Sequence, residues 1–122
     1  MRPHKKLRLW GLVIDFIADI YKLTKNFPND EKYVLVPQLR RAAISIASNI
    51  AEGAGRTGKQ EKIHFFVIAR GSLSEVDAQL EIAMKLNILN NNVYKNTEMK
   101  MEEISRMLQG LIKSCEKYKQ AD

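Results

Sequence analysis

The stretch Gln38-Leu-Arg-Arg-Ala-Ala-Ile-Ser-Ile-Ala-Ser-Asn-Ile-Ala-Glu-Gly-Ala-Gly-Arg56 reads as a helix too small and too polar for an ordinary core element. Ala42, Ala43, Ala47 and Ala51 carry almost no side chain, so another helix can approach closely. Arg41, Ser45, Ser48 and Glu52 recur at helical spacing and line one face beside Asn49. Hydrogen-bonding groups in such a row need fixed partners. The expected structural network is Ser45, Asn49 and Glu52 with Arg70 and Glu75, and Arg70, set between Ala69 and Gly71, is the expected partner of Glu52.

Working outward, three more helices flank this one. Leu9, Trp10, Val13, Ile14, Ile17 and Tyr21 keep a three-and-four spacing, which predicts an amphipathic helix over residues 5–25, ended by the turn around Pro28. Pro37 is tolerated in a first helical turn, so the second helix is predicted over 37–55, with Gly53 and Gly55 as its stop. Thr57 and Gln60 have the spacing of a capping box. Behind them, Ile63, Phe66, Val67, Leu73, Val76, Leu80, Ala83 and Met84 predict a third helix over 59–88, expected to be the longest. After the turn at Asn90–Asn92, residues 93–118 carry Tyr94, Met101, Ile104, Leu108, Leu111, Ile112, Cys115 and Tyr118 on one side. Tyr33–Val36 is β-prone but short and closed by Pro37, so it reads as a connector. Short connections between four such helices predict an all-α, antiparallel up-down-up-down four-helix bundle spanning residues 1–122 as a single domain.

At 122 residues and 45% hydrophobic composition, the chain has the size of one globular core. No apolar run approaches the roughly 20 residues needed to span a bilayer, and no membrane partner is expected. Cys115 is the only cysteine, which excludes an internal disulfide and fits a reducing cytoplasm. Charge is uneven. Residues 1–70 hold 13 Lys or Arg against 6 Asp or Glu, a net of +7, whereas residues 71–122 hold 7 against 8, a net of −1. This asymmetry points to a polyanion, RNA or DNA above all, although a solvated positive face has the same composition. The expected nucleic-acid-binding residues are Lys5, Lys6 and Arg8 near the N-terminus, with Arg40, Arg41, Arg56, Lys59 and Lys62.

Leu35 to Arg56, Phe65-Phe66-Val67-Ile68-Ala69-Arg70-Gly71-Ser72-Leu73-Ser74-Glu75 and Met107-Leu108-Gln109-Gly110-Leu111-Ile112 together resemble the four-helix bundle protein family. This is the 23S rRNA intervening sequence protein family, first noticed in intervening sequences of bacterial large-subunit ribosomal RNA genes. One branch serves as the accessory protein of diversity-generating retroelements, in which a five-subunit basic barrel binds a reverse transcriptase and nucleic acid. The resemblance therefore implies a homo-oligomer, a pentamer in that branch, with a nucleic acid and a reverse transcriptase as partners. The competing reading is a homo-oligomeric protein adaptor whose positive charge is incidental.

Other motifs carry less. Gly53 to Lys59 has the glycine and lysine spacing of a phosphate-binding loop, but Gln60 stands where a hydroxyl must hold magnesium, and a helix precedes it rather than a strand. Gly55-Arg56-Thr57-Gly58 matches the glycine clamp of an RNA-binding module whose sheet is missing here. As the start of a helix, the same loop reads either as a phosphate contact or as a plain connection. His4 and His64 have no second ligand at helical spacing, so no metal or cofactor is expected. Arg41, Asn49, Glu52, Arg70 and Glu75 lack a nucleophile and matched base, and no enzymatic activity is expected. Phe65 and Phe66 read as core and interface rather than as a base-stacking platform.

Overall fold

A computed structural model describes residues 2–117. Four helices, α1 (Arg8–Thr24), α2 (Leu35–Gly55), α3 (Lys59–Lys85) and α4 (Asn91–Lys117), make up most of it. Each packs on its neighbours in sequence, with α2 against α3 the most extensive pairing, and α1 closes the ring against α4. Among the described residues there is no strand. This is the antiparallel up-down-up-down bundle expected from the four amphipathic stretches. Tyr118, expected at the end of the fourth stripe, lies outside the described residues.

The boundaries differ in instructive ways. Residues 5–25 are not one helix: Pro3–Lys6 form a separate 3-10 turn, and extended backbone at Leu7 separates it from α1. Helix α2 begins two residues before Pro37, whose missing amide hydrogen still falls among the unpaired donors of the first turn. The expected capping box does not form, because Gly58 is the N-cap of α3 and no side chain caps it. Helix α3 ends at Lys85, where Asn87 adopts a φ of 60° that turns the chain. Its 27 residues span about 40 Å. The described part of α4 is equally long.

One continuous core fills the bundle, built from Leu9, Val13, Phe16 and Ile20 of α1, Leu39, Ile46 and Ile50 of α2, Phe66, Val76 and Leu80 of α3, and Ile104 and Leu108 of α4. The buried stripe of α1 is displaced from the expected one, since Phe16 and Ile20 are fully buried while Ile14 is 44% exposed. The alanines of α2 behave as expected, with Ala42, Ala43 and Ala47 buried. Gly53 is not a helix stop. It lies inside α2, buried, and a Cβ placed there would sit 2.7 Å from Cε1 of Phe66 and 3.2 Å from Cβ of Phe65. The α2–α3 hairpin is therefore tightest just before its turn, where only a glycine lets the Phe66 ring reach the α2 backbone.

Candidate functional site at the basic end of the bundle

The turn Arg56–Gly58 brings the end of α2 beside the start of α3, and antiparallel packing places the last turns of α4 at the same end. The Pro3–Lys6 turn packs on α2. A cavity here is lined by Pro3 and Leu7 together with Ala54, Lys59, Lys62 and Cys115, so the segment before α1, the last described turns of α4 and the α2–α3 turn come together. Six of the eight expected nucleic-acid-binding residues therefore lie at this end of the bundle: Lys5, Lys6, Arg8, Arg56, Lys59 and Lys62. Arg2, Lys113 and Lys117 lie at the same end. Reading charge by sequence segment missed these last two. The signal that finds them is topological, because the fourth helix of an antiparallel bundle must end where the first begins.

The cations differ in what they are free to do. Lys5, Lys6 and Arg8 are exposed, and Lys59 is half-buried. None of the four makes an ion pair among the described residues. Arg56 is held on both sides, with Nη2 3.1 Å from Glu52 Oε2 and Nη1 3.6 Å from Glu61 Oε2, and its guanidinium lies 5.0 Å over the Phe65 ring. Its charge is largely offset locally. The Lys62 ammonium donates to the carbonyls of Ala54 at 3.1 Å and Gly53 at 3.4 Å, closing the C-terminus of α2, where a cation also favours the helix dipole. Point charges on Lys5, Lys6, Arg8 and Lys59, beside a helix start with no side-chain cap, suit sequence-independent contact with phosphates.

The remaining two expected contacts lie elsewhere. Arg40 ties α1 to α2: its Nε donates to Thr24 Oγ1 at 2.9 Å, its Nη2 donates to the Tyr21 carbonyl at 3.3 Å, and the guanidinium covers the Tyr21 ring at 4.4 Å. That is a structural duty at the opposite end of α1. Arg41 is exposed on α2, away from the basic end.

The polar network is smaller than expected. Ser45 and Ser72 hydroxyls lie 2.9 Å apart and join α2 to α3, while Asn49 Nδ2 donates to the Ser45 carbonyl at 2.8 Å and to its hydroxyl at 3.1 Å. Glu52 does not meet Arg70. It is exposed and pairs with Arg56, whereas Arg70 Nη1 donates to Gln109 Oε1 at 2.8 Å and binds α3 to α4. Glu75 is exposed and outside the network. A second cluster went unread in the sequence: the Tyr94 hydroxyl donates to Asp77 at 2.6 Å and to Glu98 at 3.3 Å. Burial, the Asp77 hydrogen bond and the neighbouring carboxylates push the Tyr94 phenol well above its usual value. Among the described residues no group of three His, Cys, Asp or Glu side chains could hold a metal ion, and no helix is long and apolar enough to cross a membrane.

No curated protein matches the sequence significantly. A solved structure from Bacteroides thetaiotaomicron, described as a protein with unknown function from the S23 ribosomal protein family, is similar to this chain with a TM-score of 0.79 at 24% identity. The similarity covers 86% of this chain and 95% of that one and bears on the fold. The family model for the 23S rRNA-intervening sequence protein matches residues 5–110, which take in α1 to α3, most of α4 and the positions of Lys5, Lys6, Arg8, Arg56, Lys59 and Lys62. The chain belongs to the 23S rRNA-intervening sequence protein family.

Proposed function

We propose that this protein is a non-enzymatic, homo-oligomeric accessory protein that binds RNA or DNA through the basic end of its bundle. The observation that carries the reading is the placement of Lys5, Lys6, Arg8 and Lys59, unpaired among the described residues, at one end of the bundle, where Arg2, Lys113 and Lys117 also lie. Positive point charges without a set of base-reading side chains give affinity with little sequence preference. Self-association is supported by α3, where Ile68, Gly71, Glu75, Ala78 and Ile82 are exposed or half-exposed at alternating three- and four-residue steps. That spacing makes a seam along which a second helix can pack, and a Cβ at Gly71 would meet nothing within 4 Å. Cyclic closure, a pentamer by the family resemblance, would bring several weak basic ends together and raise avidity. A reverse transcriptase partner rests on that resemblance alone. A protein adaptor, which needs only the α3 seam, is the alternative.

The test is a fluorescence anisotropy titration against structured RNA and duplex DNA at two salt concentrations. Log affinity should fall with log salt at about −0.9 per neutralised duplex phosphate. Replacing Lys5, Lys6 and Lys59 together by Gln should weaken binding and flatten that slope, while replacing Lys22, Lys25 and Lys32, an equal loss of charge elsewhere, should change it far less. Equal effects of the two triple variants, or no binding at tens of micromolar protein, would favour the adaptor.

A further inference from the structure

The same end of the bundle holds a cavity that shares Lys59 with the proposed phosphate surface but whose apolar walls phosphate binding does not use. It measures about 380 Å³ and opens between α2, α3 and α4. That volume falls within the range of small-molecule sites, about 300–1,000 Å³. Pro3, Leu7, Ala54, Phe66 and Leu111 give it apolar walls, Thr57 and Ser114 add two hydroxyls, and the cations lining it among the described residues are Lys59 and Lys62. Among the described residues no carboxylate lines it. Lys62 is anchored by two backbone carbonyls, which fixes one ammonium beside the apolar walls, and Lys59 makes no ion pair among the described residues.

We propose that this cavity binds a small amphipathic anion, a carboxylate bearing an aliphatic chain, with the carboxylate on Lys59 and Lys62 and the chain against Leu7, Phe66 and Leu111. The charge of the lining selects the head group. The walls favour an aliphatic tail, because a nucleobase inserted there would set its ring nitrogens and exocyclic groups mostly against hydrocarbon, with only the Thr57 and Ser114 hydroxyls and the two lysines to pair them. This site goes beyond nucleic-acid binding; it shares Lys59 with that surface, but decanoate affinity and Cys115 protection are read without nucleic acid and so test it separately.

Cys115, the chain's only cysteine, lines the cavity and supplies a local reporter. Calorimetric titration of the full chain with decanoate, below its micellar range, should show binding, with decanol at least tenfold weaker. Shortening the chain should cost up to about fourfold per methylene removed from the cavity. Decanoate should also slow the reaction of Cys115 with an aromatic disulfide reagent, and decanol at the same concentration should not. Lys59→Gln should lower decanoate affinity about tenfold, and Ala54→Trp, which fills the cavity, should abolish it. Should Ala54→Trp fail to fold, the Lys59→Gln affinity and the Cys115 protection decide. Absence of decanoate binding at millimolar concentration, equal affinity for decanol, unprotected Cys115, or adenosine monophosphate binding more tightly than decanoate would overturn the proposal.

Discussion

Replacing Gly53 by alanine separates two effects that usually travel together. A methyl group in the interior of a helix gains about 1 kcal/mol over glycine in backbone entropy. At Gly53 that methyl would lie 2.7 and 2.9 Å from two carbons of the Phe66 ring and 3.2 Å from Cβ of Phe65. Phe66 is 3% exposed and its ring borders the cavity at this end of the bundle, so relieving the clash means moving the ring off its core contacts. Overpacking of this kind costs about 1–3 kcal/mol. Gly110 is the natural control, an exposed helical glycine where a Cβ meets nothing within 4 Å. Because both substitutions carry the same helix-forming gain, the difference between them isolates the steric term at about 1–3 kcal/mol. In thermal unfolding at this chain length, a 2 kcal/mol difference separates the variants by about 5–10 °C, with Gly110→Ala above the parent and Gly53→Ala below it. Phe66→Leu in the Gly53→Ala background should recover part of the loss, as positive coupling in a double-mutant cycle. If Gly53→Ala unfolded at or above the temperature of Gly110→Ala, the close approach of α2 and α3 would be refuted.

Three further outcomes follow from the geometry. Glu52→Ala should cost less than about 0.5 kcal/mol in chemical denaturation, because its one ion pair among the described residues is the exposed one with Arg56 at the end of α2; a loss of several kcal/mol would mean a buried partner. Tyr94→Phe should cost about 1 kcal/mol at neutral pH through the lost Asp77 hydrogen bond. Since folding raises the Tyr94 phenol, its contribution is fully present below the ordinary value of 10.0 and is lost as pH rises through the folded value, so the variant should show a shallower alkaline decline; identical declines by urea denaturation between pH 8 and 11 would contradict this. Ile68→Glu, on the exposed side of α3, should convert an oligomer to monomer without loss of helicity, and light scattering that finds the parent already a 14.0 kDa monomer at micromolar concentration would remove the seam.

The helices were legible because apolar residues recur at helical spacing, and each expected stripe, Tyr118 aside, falls on a helix of the described residues. Register was harder. Trp10, Ile14 and Ile17 satisfy the same periodicity as Phe16 and Ile20, and only packing against α2 and α4 decides which set faces inward. Gly53 illustrates a deeper ambiguity, since a glycine near a helix end reads as a stop whether it ends the helix or admits a neighbouring ring. Polar partners were the least legible. Arg70 has several acceptors within reach of a long side chain, and its choice of Gln109 depends on the α3–α4 register, which no local pattern encodes. The basic site was half visible: charge density singled out the turn at Arg56–Lys62 and the N-terminus, but their union required the bundle topology. That topology also withdrew Arg40, whose guanidinium is committed to Thr24 and Tyr21.

Lysine footprinting tests the central claim most directly. The protein, alone and saturated with structured RNA, is acetylated briefly at low salt and each lysine's modification is read by mass spectrometry. The account predicts strong protection of Lys5, Lys6 and Lys59 in the complex, with Lys22, Lys25, Lys32 and Lys85 modified as in the free protein. Uniform protection along the chain, or protection confined to the lysines away from the basic end, would contradict it.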